Sequence, residues 1–229
     1  MKSVMLIVPI WAAVFLFACY SRAATPVTHI IEPDDYAEDA VLNDVHPRVE
    51  LRIFDGVIRD NFPVDFGVFP TPTVIPVTAN ENSDIFGGYF TSTGTKSFGH
   101  ANITFFPESR QLAMRFLTPT TEVSIDFIGT STISSQIGVL EIFNPDGVLL
   151  DTFTSDPLLA HQIATLSLSR PAGDIGYARA FSSPDGSPFG TLDNLRFVTI
   201  PEPAAYVLGG LGLMFVIASR GRQASRARS

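Results

Sequence analysis

Two groups of oxygen-bearing side chains stand near opposite ends of the central sequence. Glu32, Asp34 and Asp35 crowd its start, and Asp193 and Asn194 lie close to its end. Carboxylates and amides are the donors that a hard cation such as calcium takes, about six to eight oxygens at a time. In a sandwich whose first and last strands are neighbours, Asp34, Asp35, Asp193 and Asn194 converge, and Ca2+ is the cofactor such a set implies. Asp193 alternates in phase with Leu195 and Phe197, which turns it inward, and a buried carboxylate needs a partner or an ion. The other reading makes Asp34 and Asp35 a solvated turn and has Asp193 accept backbone hydrogen bonds. Spacing alone leaves both open.

Other chemistry has no support in the sequence. There is no Gly-x-Ser-x-Gly, no His-Glu-x-x-His, no phosphate loop and no dinucleotide fingerprint. His29, His46, His100 and His161 are far apart and form no local ligand pair. The single cysteine, Cys19, falls in the N-terminal apolar segment. A glycosidase needs two carboxylates across a cleft, and spacing singles out no such pair. No catalytic residue is assigned, and the chain is expected to be non-enzymatic. For sugar stacking, the strongest residue type is represented once, by Trp11, in the same N-terminal segment. Tyr36, Tyr89, Phe90 and Tyr177 remain as candidates, each equally placed to be core. The run Thr91-Ser92-Thr93-Gly94-Thr95 is too short for a regular threonine lattice and reads as a flexible polar loop.

The elements that position these residues are strands. Val49, Leu51 and Ile53 alternate with Glu50 and Arg52; Leu112, Met114 and Phe116 alternate with Ala113 and Arg115; Val123, Ile125 and Phe127 alternate with Ser124 and Asp126. Segments 139–143 and 148–153 flank Asn144-Pro145-Asp146-Gly147, a type I turn, and so predict a hairpin. Segments 163–168, 174–180 and 192–198 complete the set. Residues 34–45 have room for a short helix, with acids at its positive end. Residues 60–98 hold Pro63, Pro70, Pro72 and Pro76, and proline is kept out of central strands, so long loops with one or two edge strands are expected. Short strands punctuated by turns predict an all-β antiparallel sandwich over 24–198.

Charge excludes two classes of partner. Residues 24–200 carry nine basic and 22 acidic groups, a net −13 against −8 for all 229 residues. Nucleic acid and anionic lipid surfaces both require clustered cations, so no nucleic acid is expected.

The two ends read as addresses. Lys2, the uncharged stretch 4–18 and Ser21-Arg22-Ala23 form a secretory signal peptide over 1–23. An uncleaved anchor and lipidation of Cys19 are the alternatives. At the other end, Pro201-Glu202-Pro203 precedes the apolar run 204–218 and the cluster Arg220, Arg222, Arg226 and Arg228. Counted from Val198 the apolar stretch spans 21 residues with only Glu202 charged, long enough to predict a transmembrane helix, and the arginines hold its end in the cytoplasm as a stop-transfer tail.

Residues 199–229 resemble the PEP-CTERM sorting segment. This resemblance implies processing by an exosortase, with delivery to the cell surface or exopolysaccharide matrix of a Gram-negative bacterium. The body carries a second, more diffuse resemblance. Ile31-Glu32-Pro33-Asp34-Asp35-Tyr36-Ala37, Phe98-Gly99, Gly138-Val139-Leu140-Glu141 and Leu192-Asp193-Asn194-Leu195-Arg196-Phe197 are similar to jelly-roll, galactose-binding-like domains carried by such proteins. That implies a surface or matrix module with extracellular polysaccharide as partner. A structural surface protein without a small ligand, or a secreted glycan-active hydrolase, are the alternatives.

Overall fold

The computed structural model describes residues 25–55, 62, 70–76, 90–100 and 103–200. The segments expected to be a signal peptide (1–23) and a C-terminal transmembrane helix, with the Pro201-Glu202-Pro203 motif and the arginine tail, lie outside the described residues. Among the described residues, ten strands follow in order: β1 (Val27–Ile31), β2 (Val49–Asp55), β3 (Thr73–Pro76), β4 (Lys96–Gly99), β5 (Arg110–Ile128), β6 (Gly138–Phe143), β7 (Leu149–Thr154), β8 (Ile163–Ser169), β9 (Ile175–Ser182) and β10 (Thr191–Thr199). Every strand pair is antiparallel. The architecture is all-β and consistent with a sandwich. Among the described residues, no helix is long and apolar enough to cross a membrane.

The helix expected within 34–45 is a correction. Only a 3-10 turn forms, at Pro33–Asp35, and Tyr36 is already extended. Downstream backbone groups are drawn to β3 instead: Asp39 N–H donates to Val74 O at 2.9 Å, and Leu42 N–H to Pro72 O at 2.9 Å. Burying Leu42 and pairing with a strand outweighs one short amphipathic turn.

Strand β5 is the spine of the body. The sequence reads its two halves as separate strands around Pro119, yet one 19-residue strand runs through. Residues 110–116 pair with β2, and Leu112–Arg115 meet Ala180–Tyr177 of β9. Residues from Thr120 onward pair instead with β10 and β8. Proline has no N–H for a ladder, and Pro119 sits where β5 changes partners, so nothing is lost there. Around β5 the sheet runs in the order β1-β10-β5-β9-β6-β7, with β2 and β8 also on β5, while β3 and β4 form a separate pair.

The alternating apolar positions supply the core. Leu51, Ile53, Leu112, Met114, Val123, Ile125, Phe127, Leu140, Ile142, Leu192, Leu195 and Phe197 are completely buried. Among the described residues, the core lies inside Pro26–Pro201, one compact unit. That stretch therefore contains the burial that drives its own folding. The β6–β7 hairpin turns as predicted: Gly147 N–H donates to Asn144 O at 2.9 Å, and Asn144 Oδ1 accepts from Asp146 and Val148.

Candidate functional site

The first and last strands of the described body meet because β1 pairs with β10 along its whole length, from Val27 opposite Thr199 to Ile31 opposite Leu195. Immediately beyond β1 come Glu32 and Asp34; across from them Asp193 lies in β10, and the segment 91–95 crosses between. Asp193 is completely buried, as its alternation predicts. Its Oδ2 accepts Ser92 N–H at 2.8 Å, the Ser92 hydroxyl at 3.0 Å and Thr93 N–H at 3.2 Å, while Oδ1 accepts Asn194 N–H at 2.9 Å. Asp34 takes the other end, accepting Thr95 N–H at 2.9 Å. Lys96 adds its ammonium to the carbonyls of Tyr36 at 2.6 Å and Asp34 at 3.4 Å. The threonine-serine run is thus a tied strap rather than a free loop.

Gly94 sits at φ +50°, and a Cβ there would lie 2.0 Å from Asp34 Oδ2. Only glycine lets the strap pass. Burial pushes Asp193 up to about 7, with the nearby Glu32 carboxylate adding to the rise and the Ser92 and Thr93 donors opposing it. Glu32 Oε1 is itself buried without a hydrogen-bond partner.

Of the four residues read as a calcium set, the structure brings Asp34 and Asp193 to one strap. Asp35 is exposed. Asn194 turns away: it stands at φ +49°, in a register shift of β10. Its amide donates to Asp126 Oδ2 at 3.1 Å and accepts from Arg196 Nε at 3.2 Å. Among the described residues, no group of three or more His, Cys, Asp or Glu side chains is arranged to hold a metal ion. The cation-compatible feature is smaller, the pairing of buried Asp193 with the partnerless Glu32 oxygen.

A second polar arrangement has no counterpart in the sequence reading. Residues directly opposite in antiparallel strands point to the same face. Register therefore places Glu50, Arg115, Tyr177 and Phe143 in one row across β2, β5, β9 and β6, and Arg52, Ala113, Arg179 and Glu141 in the next. This is the face turned away from Leu112, Met114 and Ala178. Arg115 bridges Glu50 at 2.8 Å. Arg179 pairs with Glu141, donates to Gln111 Oε1 at 3.3 Å and lies over the rings of Phe143 and Phe181. Phe62 stacks on Tyr177 with ring centres 4.8 Å apart. The available signal was a charged residue between apolar neighbours on several strands; only strand pairing turns those into a row.

Of the other aromatic candidates, Tyr36 packs against the core edge and Phe90 against the His161 ring, whereas Tyr89 lies outside the described residues. His29 and His46, remote in sequence, meet with ring centres 4.7 Å apart beside Phe197.

No protein-family model and no curated protein matches the chain. Among solved structures it is similar to the K2 cleaved adhesin domain of Lys-gingipain, at 11% identity over 75% of this chain and 99% of that one, TM-score 0.42. A CBM4 structure matches at 9% identity, over 65% and 89%, TM-score 0.25. The isomalto-dextranase of Arthrobacter globiformis T6, complexed with panose, matches at 13% identity, over 76% and 33%, TM-score 0.32. At TM-scores below 0.5 these likenesses carry no argument about the activity of this chain.

Proposed function

We propose that this is an exported, non-enzymatic carbohydrate-binding protein of jelly-roll type, acting at the cell surface or in the exopolysaccharide matrix. The observation that carries the reading is the row Glu50, Arg115 and Tyr177 on one sheet face. It offers a tyrosine, one face of whose ring is stacked on Phe62, beside a guanidinium already oriented by a carboxylate, and aromatic and guanidinium groups together suit a sugar ring and its hydroxyls. Rigid strands hold all three, which keeps the ordering cost of binding low.

The address rests on the ends of the sequence. A signal peptide over 1–23 exports the chain, and Pro201-Glu202-Pro203 with the apolar run and Arg220, Arg222, Arg226 and Arg228 makes exosortase the processing partner. Calcium belongs to the reading as a support for the strap. Glu32 and Asp193 supply the carboxylates, and a bound cation would compensate their two charges where burial disfavours them.

The test is retention of purified residues 24–200 on the producing organism's own exopolysaccharide, in calcium and in chelator. Saturable retention is expected, and stronger in calcium. No retention in either buffer would overturn the carbohydrate reading and leave a structural surface protein.

A further inference from the structure

A pocket of ≈ 290 Å3 opens at the end of the Glu50–Arg115–Tyr177 row. Its origin is a local mismatch between two strands. Arg115 pairs with Tyr177 and Thr120 with Ile175, so residues 116–119 of β5 face only Gly176 of β9. Such bulges bend a strand and re-aim its side chains, and they recur beside binding sites. Here Phe116 and Leu117 stay tied to the β2 side, through Val49 and Arg48 O, while Gly176 offers no side chain to fill the space. The glycine has a second constraint: a Cβ on it would lie 2.6 Å from Pro145 Cα. The hairpin turn at Pro145 is therefore drawn in to form the opposite wall.

The lining is amphiphilic in a particular way. Tyr177, Leu117, Pro119 and Pro145 give flat apolar walls, and Arg115 stands among them. The Arg115 charge is met by Glu50. Thr118 contributes a buried hydroxyl that has no hydrogen-bond partner, a group that normally finds one. A pocket at the low end of the small-molecule range suits one ring, not an extended chain segment. Its cation is already neutralised, and the body around it is net −13, so an anionic ring would gain little and be repelled.

We propose that this pocket is the sugar subsite, taking a single neutral pyranose unit of a polysaccharide. The ring packs on Tyr177 and the prolines, its hydroxyls bond the Arg115–Glu50 pair, and the Thr118 hydroxyl turns to meet one of them. The assignment rests on the carbohydrate-binding reading and adds to it the place and the ligand class.

Affinity electrophoresis of residues 24–200 through gels holding dextran, laminarin, galactan or polygalacturonate tests it. At least one neutral polymer should retard the unaltered protein, with polygalacturonate weakest. Leu117 is 48% exposed, so Leu117→Trp fills the pocket without touching the core and should abolish the retardation. Thr118→Val, which removes only the hydroxyl, should weaken it at least about fivefold. Thermal unfolding confirms that both variants are folded. Full binding by both variants overturns the pocket assignment while leaving carbohydrate binding in place. Preference for polygalacturonate overturns the neutral ligand. No retardation of the unaltered protein by any polymer, together with no retention on native exopolysaccharide, overturns both readings.

Discussion

Asp193 Oδ2 accepts the backbone N–H of Ser92 at 2.8 Å across a separation of 101 residues. One carboxylate in the last strand therefore determines where the strap crosses the junction of β1 and β10. Asp193→Ala would leave the Asn194 N–H without its acceptor in a buried site, and the Ser92 and Thr93 N–H groups without theirs in a partly buried one. A buried donor so stranded costs about 1–3 kcal/mol, so a loss of at least about 1 kcal/mol is expected in urea unfolding. Asp193→Asn keeps an acceptor oxygen and removes a charge that burial disfavours. Its loss should be less than half that of the alanine variant. Equal losses for the two would show that the carboxylate oxygens are not what holds the strap.

The strap also depends on a residue without a side chain. Gly94→Ala puts a Cβ onto the Asp34 carboxylate and holds an L-residue at φ +50°. The left-handed conformation costs roughly 1–2 kcal/mol by itself, and displacement of Asp34 from Thr95 adds to it. The melting temperature should fall by several degrees, and hydrogen exchange of the Thr95 amide should accelerate. An unchanged Thr95 exchange rate would contradict the contact.

Strand identity was legible wherever one face is apolar and the other polar, as in Glu50 and Arg52 between Val49, Leu51 and Ile53. The continuity of β5 was not, because proline reads as a strand breaker and the change of partners at Pro119 is a tertiary event. The pairing of β1 with β10 follows from sandwich logic and brought Asp34 and Asp193 to one place. Asn194 escaped that logic, since a left-handed residue in a register shift turns its amide toward Asp126. The charged sheet face was hidden for a different reason. Glu50, Arg115, Glu141 and Arg179 each resemble an ordinary solvent-facing strand residue until register sets them side by side.

Acid should weaken the body through the paired histidines. Burial and the Arg48 charge hold His29 below its ordinary 6.5; burial, His29 and Arg48 do the same to His46. His46 Nδ1 accepts Arg48 N–H at 3.2 Å and His29 Nε2 contacts Thr199 Oγ1 at 2.9 Å, so protonating His46 at Nδ1 destroys an acceptor. The unfolded chain binds protons at a higher pH than the folded one. The histidine contribution is therefore complete above about pH 6.5 and declines as pH falls toward the depressed folded values. Asp193, raised to about 7 in the folded chain, regains its proton in the same window and acts in the opposite direction, so it is in an Asp193→Asn background that the urea midpoint should drop between pH 7.5 and 5. His46→Asn, which retains an acceptor without a titrating ring, should show a smaller drop. An equal drop in both proteins would place the acid sensitivity elsewhere.

The Arg179–Glu141 pair makes the sharpest energetic test. Arg179 is only 5% exposed, and its guanidinium is shared among Glu141, Gln111 and the rings of Phe143 and Phe181. Removing one member of a buried pair strands the other charge, typically at a cost of about 3–5 kcal/mol. Glu141→Leu should therefore be severe, because Arg179 cannot discard its proton. Arg179→Met with Glu141→Leu removes both charges and refills the space with apolar atoms, which is often neutral or better. The double variant should thus be more stable than Glu141→Leu alone, a coupling of at least about 1 kcal/mol in a double-mutant cycle. Additive losses would mean that water reaches the guanidinium, and that this sheet face is more open than its burial states. The same double variant should leave sugar binding intact, since the pocket begins one row away at Arg115 and Tyr177.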